Sequence, residues 1–188
     1  MWGVTGTHEN TVLIRKTTLK IINIAPIFDT TYVMKILMVC LGNICRSPLA
    51  EGILRFHLEK EGIDRVIVDS AGTSGWHNGE HPDSRSVLNA RKNGVDISKL
   101  ISRKFIAADF DTFDRIFVMD QSNHRDVLSL ATKKEHESKV EMLLNISNPG
   151  SNKAVPDPYY GGENGFQEVF DLVDAACIEL VKQIKTKQ

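Results

Sequence analysis

Residues 34–60 read MKILMVCLGNICRSPLAEGILRFHLEK, and this stretch decides the architecture. Ile36 to Val39 is a short apolar run that breaks at Gly42 and Asn43. Ser47 and Pro48 then have the chemistry of a helix start, a hydroxyl for the N-cap and a proline for the first helical position. Pro48 to Lys60 is expected to be helical, with Gly62 ending it. A strand that runs through a glycine-containing loop into a helix is a ready-made anion site. The first helical N–H groups have no partner within the helix and carry the positive end of its dipole. Gly42 lets the loop curl until successive N–H groups face one centre. Arg46 adds a planar fork that matches two phosphate oxygens. Cys40 sits at the start of this cradle, where a field that holds an anion also favours a thiolate. A cysteine at a strand end is often only core, so the reading rests on the combination of strand, Cys40, Gly42, Arg46, Ser47-Pro48 and helix. Neither G-x-x-x-x-G-K-[ST] nor a G-x-G-x-x-G after a strand is present.

Outward from this stretch, strand and helix patterns alternate. Val66 to Val68 is a second strand, followed by the turn-rich Ser70 to Gly79. His81-Pro82 opens a helix that runs to about Lys92 and ends near Gly94. Ser102 to Asp109 reads as a short helix, Arg115 to Met119 as a third strand and Asn123 to Leu130 as a helix. The charged run Lys133 to Lys139 reads as a solvated helix end, and Val140 to Leu143 as a fourth strand. A polar loop from Asn145 to Asn164 precedes a last helix, Gly165 to about Lys185. The alternation predicts an α/β fold, a three-layer α/β/α arrangement with a four-stranded parallel sheet and a phosphate-binding loop after the first strand. Ligands of such sheets bind beyond the carboxyl ends of the strands, where the loop Cys40 to Ser47 lies.

Composition narrows the function classes. The 188 residues are 41% hydrophobic and 25% charged, which suits one domain with its own core. With 23 basic and 24 acidic residues the net charge is -1, so no overall field draws nucleic acid or an anionic membrane. No run reaches the roughly 18 apolar residues of a membrane span. The cysteines are Cys40, Cys45 and Cys177, a sparse and odd set that argues for a reducing, cytoplasmic setting. Residues 1–33 differ from the rest, with seven threonines and only Glu9 and Asp29 as acids. Poverty in acids is shared with organellar transit peptides, but the basic start and cleavage site of a secretory signal are missing. The compact pattern begins at Met34. Residues 1–33 are therefore expected to be a disordered extension or a misassigned start, and residues 34–188 the domain. No metal or other cofactor is expected. His77 and His81 stand four apart, but Asn78-Gly79 between them interrupts any helix that would put both on one face.

The stretch Val39 to Gly52, VCLGNICRSPLAEG, resembles the signature of the low-molecular-weight protein tyrosine phosphatases. A second match is Asp157-Pro158-Tyr159-Tyr160, and between them lie Asp69 to Trp76 and Phe113 to Asp126. The likeness spans about Met34 to Lys185. It implies that Cys40 attacks phosphorus to form a phosphocysteine and that Arg46 binds the phosphate. It further implies that Asp157 protonates the leaving phenolate and then activates water. Leu41, Gly42, Asn43, Ile44, Cys45 and Ser47 complete the phosphate site, with Ser47 also steadying the thiolate and Asn43 the loop shape. Ser70 joins their network. Trp76, Tyr159 and Tyr160 would wall a cleft deep enough for phosphotyrosine, and Cys45 would form a reversible disulfide with an oxidised Cys40. Where the family often has a supporting histidine, this chain has Lys99. The implied partners are phosphotyrosine proteins, a bacterial tyrosine kinase among them, acted on by a monomer.

Three rivals share these residues. An arsenate reductase on this fold needs further cysteines, and none lies between Cys45 and Cys177. A phosphatase for arginine phosphate would have threonine at position 44 and no paired tyrosines, whereas this chain has Ile44, Tyr159 and Tyr160. A catalytically dead phosphotyrosine-binding module would not need Cys40, Arg46 and Asp157 together.

Overall fold

The computed structural model describes residues 32–160 and 163–186. Of the expected extension, residues 1–31 lie outside the described residues. Strands β1 (Met34–Cys40), β2 (Val66–Gly72), β3 (Arg115–Val118) and β4 (Val140–Met142) form one sheet in the order β2-β1-β3-β4. Every neighbouring pair is parallel. The four-stranded parallel sheet and its helical layers agree with the architecture expected from the sequence.

β1 shows why its residues make a central strand. Ile36, Met38 and Cys40 enter one hydrophobic core and Leu37 and Val39 the other. A strand covered on both faces has no polar side, so the run Ile36–Val39 shows no alternation. Ile36, Leu37, Met38 and Val39 are fully buried, which stabilises the fold by about 1.5–3 kcal/mol apiece. On one face lie α1 (Arg46–Lys60) and α6 (Glu163–Thr186), packed on each other, with α2 (Ser84–Lys92) against α6. The stripe Val169, Val173, Cys177, Leu180 and Ile184 advances in steps of three and four and buries one side of α6. The other face is covered by α3 (Asp109–Thr112), α4 (Gln121–Leu128) and α5 (Lys134–Ser138), through Phe110 and Val127 with Phe105 and Phe113 from the connecting segments.

β1 pairs with β2 on one side and β3 on the other, so the chain reverses its direction of travel across the sheet next to β1. The carboxyl end of β1 is that switch point, where open α/β sheets bind their ligands.

Several local expectations are corrected. Ser102 to Asp109 is not a helix. Lys104 bridges Gly72 in parallel fashion, with Gly72 N–H donating to Arg103 O at 2.9 Å and Phe105 N–H to Gly72 O at 2.8 Å. These bonds hold residues 103–105 along the sheet edge, and helix begins only at Asp109. Lys133 to Lys139 is largely exposed, as expected, but forms a short helix of its own, α5, rather than the end of another. Its His136 is buried and stacks on Phe110, the ring centroids 4.6 Å apart. α2 starts at Ser84 rather than at His81-Pro82, because the Asp83 side chain caps it by accepting from Arg85 N–H. Ser47 is not the N-cap of α1. Cys45 holds that position and the Ser47 hydroxyl turns inward.

Candidate active site

The loop from Cys40 to Arg46 closes around one sulfur. Asn43 sits in the left-handed region at φ 55, a conformation asparagine tolerates better than most residues. That turn aims its N–H at Cys40 Sγ, 3.2 Å away. Ser47 Oγ lies 3.1 Å from the same sulfur. Behind the loop, Asn43 Nδ2 donates to Ser47 Oγ at 2.9 Å and to Ser70 Oγ at 2.8 Å, while Asn43 Oδ1 accepts from Arg103 N–H at 2.9 Å. The Ser70 hydroxyl donates to Glu51 Oε2 at 2.6 Å. With Nδ2 already donating to Ser47, the single serine proton is left for Cys40 Sγ or for Ala71 O at 3.2 Å. Asn43 N–H and the Ser47 hydroxyl reach the sulfur, and the remaining bonds hold those two residues in place.

Arg46 is 4% exposed, and its guanidinium fork is filled. Nη1 donates to Asp120 Oδ2 at 2.6 Å and to Val155 O at 3.3 Å, and Nη2 donates to Asp157 Oδ2 at 2.9 Å. Burial works against its charge, but Cys40, Asp120 and Asp157 outweigh that and hold the group above its ordinary range. Asp157 is half-exposed between Pro156 and Pro158, and its Oδ1 accepts from Tyr159 N–H at 3.1 Å, a tight side-chain turn that stiffens the segment.

These groups share a cleft of about 200 Å³. Cys40, Cys45 and Arg46 line it beside Leu41, Gly42 and Ile44, with Trp76, His77, Asp157 and Tyr159 around them. Trp76 is 78% exposed and Tyr159 42%, so both present ring surface to solvent and to the cleft. Asn43, Ser47 and Ser70 are buried behind the loop. The Tyr160 side chain lies outside the described residues. Burial, with Asp83 and Cys40 next in effect, pushes the Cys45 thiol up. Cys177 lies in the core of α6, away from the cleft. His77 and His81 take separate partners, Glu80 Oε2 at 2.8 Å and Leu100 O at 3.2 Å.

Asp120, Glu51 and His77 escape the sequence reading as residues of this site. Asp120 caps α4 by accepting from Asn123 N–H at 2.8 Å and holds Arg46 with its other oxygen. Its one sequence signal is its position as a capping acid directly after a strand. Glu51 is 2% exposed on α1, paired with Arg55 at 2.7 Å and closing the serine network. Lys99, the place where a supporting histidine is looked for, is exposed. His77 has no local signal; it comes to the cleft because Gly42 leaves room for its ring.

Residues 35–188 match the family model described as low molecular weight phosphotyrosine protein phosphatase. A protein of that name from Schizosaccharomyces pombe is 42% identical over 144 residues, covering 75% of this chain and 91% of its own length. The crystal structure of a protein tyrosine phosphatase from Entamoeba histolytica with Hepes in the active site superposes with a TM-score of 0.77 at 37% identity, over 82% of this chain and 98% of that one. The crystal structure of drosophila arginine phosphatase gives a TM-score of 0.75 at 31% identity, over 81% and 98%. By the extent of these matches and by its fold, the chain belongs to the low molecular weight phosphotyrosine protein phosphatase family.

Proposed function

We propose that this chain is a protein tyrosine phosphatase that works through a phosphocysteine on Cys40. The observation that carries the reading is one cleft holding the Cys40 sulfur, a buried Arg46 and the Asp157 carboxylate bound to that arginine. A phosphate dianion competes with Asp157 for the Arg46 fork and accepts from the loop N–H groups, which sets phosphorus over Cys40. The thiolate attacks in line. An S–P bond forms as the P–O bond to the phenol breaks, and Asp157 passes a proton to the departing oxygen. Water then attacks the phosphocysteine and gives its proton to Asp157. The S–P bond breaks, and the returning thiolate is received by Asn43 N–H and the Ser47 hydroxyl. Leu41, Gly42, Ile44 and Cys45 complete the phosphate site, and Ser70 supports it through Asn43.

Specificity for phosphotyrosine is supported by the exposed rings of Trp76 and Tyr159 and the apolar Ile44, which suit a planar ring at the cleft mouth. The catalytic unit in this reading is residues 34–188, a cytoplasmic monomer that acts on phosphotyrosine proteins without a cofactor. Bacterial tyrosine kinases are candidate substrates. No helix among the described residues is long and apolar enough to cross a membrane.

The test is turnover of p-nitrophenyl phosphate and a phosphotyrosine peptide at mildly acidic pH with EDTA, for the parent, Cys40→Ser and Asp157→Ala. Turnover that survives EDTA, vanishes in Cys40→Ser and falls about 100-fold or more on the peptide in Asp157→Ala is expected. Stoichiometric binding without turnover refutes the reading. A phosphoarginine peptide run alongside, with Ile44→Thr, tests the specificity: the parent should prefer phosphotyrosine and the variant should lose part of that preference.

A further inference from the structure

Arg85 lies outside the cleft lining and takes no part in the proposed steps, yet it joins the Asp157 segment to the phosphate loop. Its Nε and Nη2 donate to the two carboxylate oxygens of Asp83 at 3.0 and 2.7 Å. Asp83 is itself fastened to the phosphate loop, because its N–H donates to Ile44 O at 2.8 Å. The helix it caps is tied there again by the Ser86 hydroxyl, which donates to Cys45 O at 3.4 Å. The remaining arm, Arg85 Nη1, donates to Tyr159 O at 3.1 Å. Arg85 Cζ also lies over two rings, 5.2 Å from the centroid of Tyr159 and 5.0 Å from that of Phe166. One side chain thus spans the phosphate loop, the turn after Asp157 and the start of α6.

We infer that Arg85 is a positioning residue that straps the Pro158–Tyr160 turn to the phosphate loop and thereby aims Asp157 at the leaving oxygen. The inference rests on Asp157 being the general acid. When a phosphate competes for Arg46, the Asp157 carboxylate gives up one of its holds and its aim depends more on the backbone from 157 to 160. That backbone is pinned from outside at the Tyr159 carbonyl and at the Tyr159 ring. The fork is needed for both: a lysine is a point charge and cannot hold Asp83 in two places, reach Tyr159 O and lie flat on the rings at once. Misplacing a catalytic group by about 1 Å can cost on the order of 100-fold in rate.

A general acid matters most when the leaving group is basic, so leaving-group dependence reports Asp157 placement. The experiment compares kcat/KM for phenyl phosphate and 2,4-dinitrophenyl phosphate in the parent, Asp157→Ala, Arg85→Ala and Arg85→Lys, with melting temperatures as a fold control. In Arg85→Ala, kcat/KM should fall about tenfold for phenyl phosphate and less than about twofold for 2,4-dinitrophenyl phosphate, in the same sense as Asp157→Ala but smaller. Arg85→Lys should behave like Arg85→Ala, and it carries the test alone if the alanine variant does not fold. If Asp157→Ala is selective for the basic leaving group while the Arg85 variants lose equally on both substrates, or not at all, the strap is overturned and the acid assignment stands. An equal loss is what a weakened Tyr159 wall alone would give. Parent behaviour in Arg85→Lys overturns the need for a fork. If Asp157→Ala shows no selectivity, the acid assignment falls and the inference with it.

Discussion

Asp120→Asn isolates one interaction at the centre of the site. Asp120 does two jobs with two oxygens: Oδ1 caps α4 at Asn123 N–H, and Oδ2 holds Arg46 Nη1 at 2.6 Å. Asparagine is as good an N-cap as aspartate, so the cap survives the substitution. What is lost is the negative charge beside a guanidinium that is 4% exposed. Removing one partner of a buried pair can cost about 3–5 kcal/mol when the other charge is left alone. Arg46 is not left alone, since Asp157 Oδ2 at 2.9 Å and Val155 O remain. The loss is therefore that of one charge-assisted hydrogen bond, about 1.5–3 kcal/mol. For a domain of this size that lowers Tm by roughly 3–12 °C, from about 2–4 °C per kcal/mol. Asp120→Ala should lose about a further 1 kcal/mol through the cap. Activity should fall in parallel, because Arg46 is drawn toward Asp157 and loses its lateral support; several-fold in kcat/KM on p-nitrophenyl phosphate is expected. Urea unfolding of the three proteins, followed by circular dichroism and paired with kinetics, checks both numbers. An asparagine variant within about 0.5 kcal/mol of the parent, the scale of a neutral surface change, and with unchanged kcat/KM would refute the claim that Asp120 anchors Arg46.

Other outcomes follow from the same geometry. Burial pushes the Glu51 carboxyl up from its ordinary value, against the Ser70 hydrogen bond and the Arg55 charge, so the folded state holds this proton more tightly than the unfolded state. Its contribution is then full below the ordinary carboxylate range and is lost as pH rises through the raised folded value. Glu51→Gln, which keeps an acceptor for Ser70, should flatten that part of the stability–pH curve; an unchanged slope in urea unfolding across it would refute the assignment. Brief peroxide treatment followed by dithiothreitol should restore much of the parent's activity but little of Cys45→Ser, and equal recovery would rule out a protective disulfide. Because burial raises the Cys45 thiol, closure of that disulfide should be slow and should speed up at higher pH. Leu54 is fully buried in α1, about two helical turns beyond Arg46 and outside the cleft lining, so Leu54→Ala should lower stability by about 2–5 kcal/mol while leaving kcat/KM within about twofold below the melting range.

What was legible in the sequence is what a continuous stretch of chain determines through its own backbone. The run Ile36–Val39, the break at Gly42-Asn43 and the helix through Lys60 specify a strand, a curled loop and a helix that starts from that loop, because those conformations depend on neighbouring residues. The alternation of such local patterns gave the parallel sheet, while the family likeness came from the resemblance of two short motifs. Local logic failed where the deciding partner is distant in sequence. Residues 103–105 lie along the sheet edge because Gly72 and Asn43 take the backbone groups of Arg103 and Phe105, and nothing within the segment signals that. Ser47 looks like a cap by its position, but Cys40 and Asn43 claim its hydroxyl. Asp120 reaches Arg46 across 74 positions and Glu51 reaches Ser70 across 19, while Arg85 reaches Tyr159 across 74. A side chain's local pattern states its conformational preference and its charge. Which buried charge or open backbone carbonyl it meets is set by the packing of α1, α2, α4 and the Asp157 segment around the end of β1, and only the tertiary structure decides that.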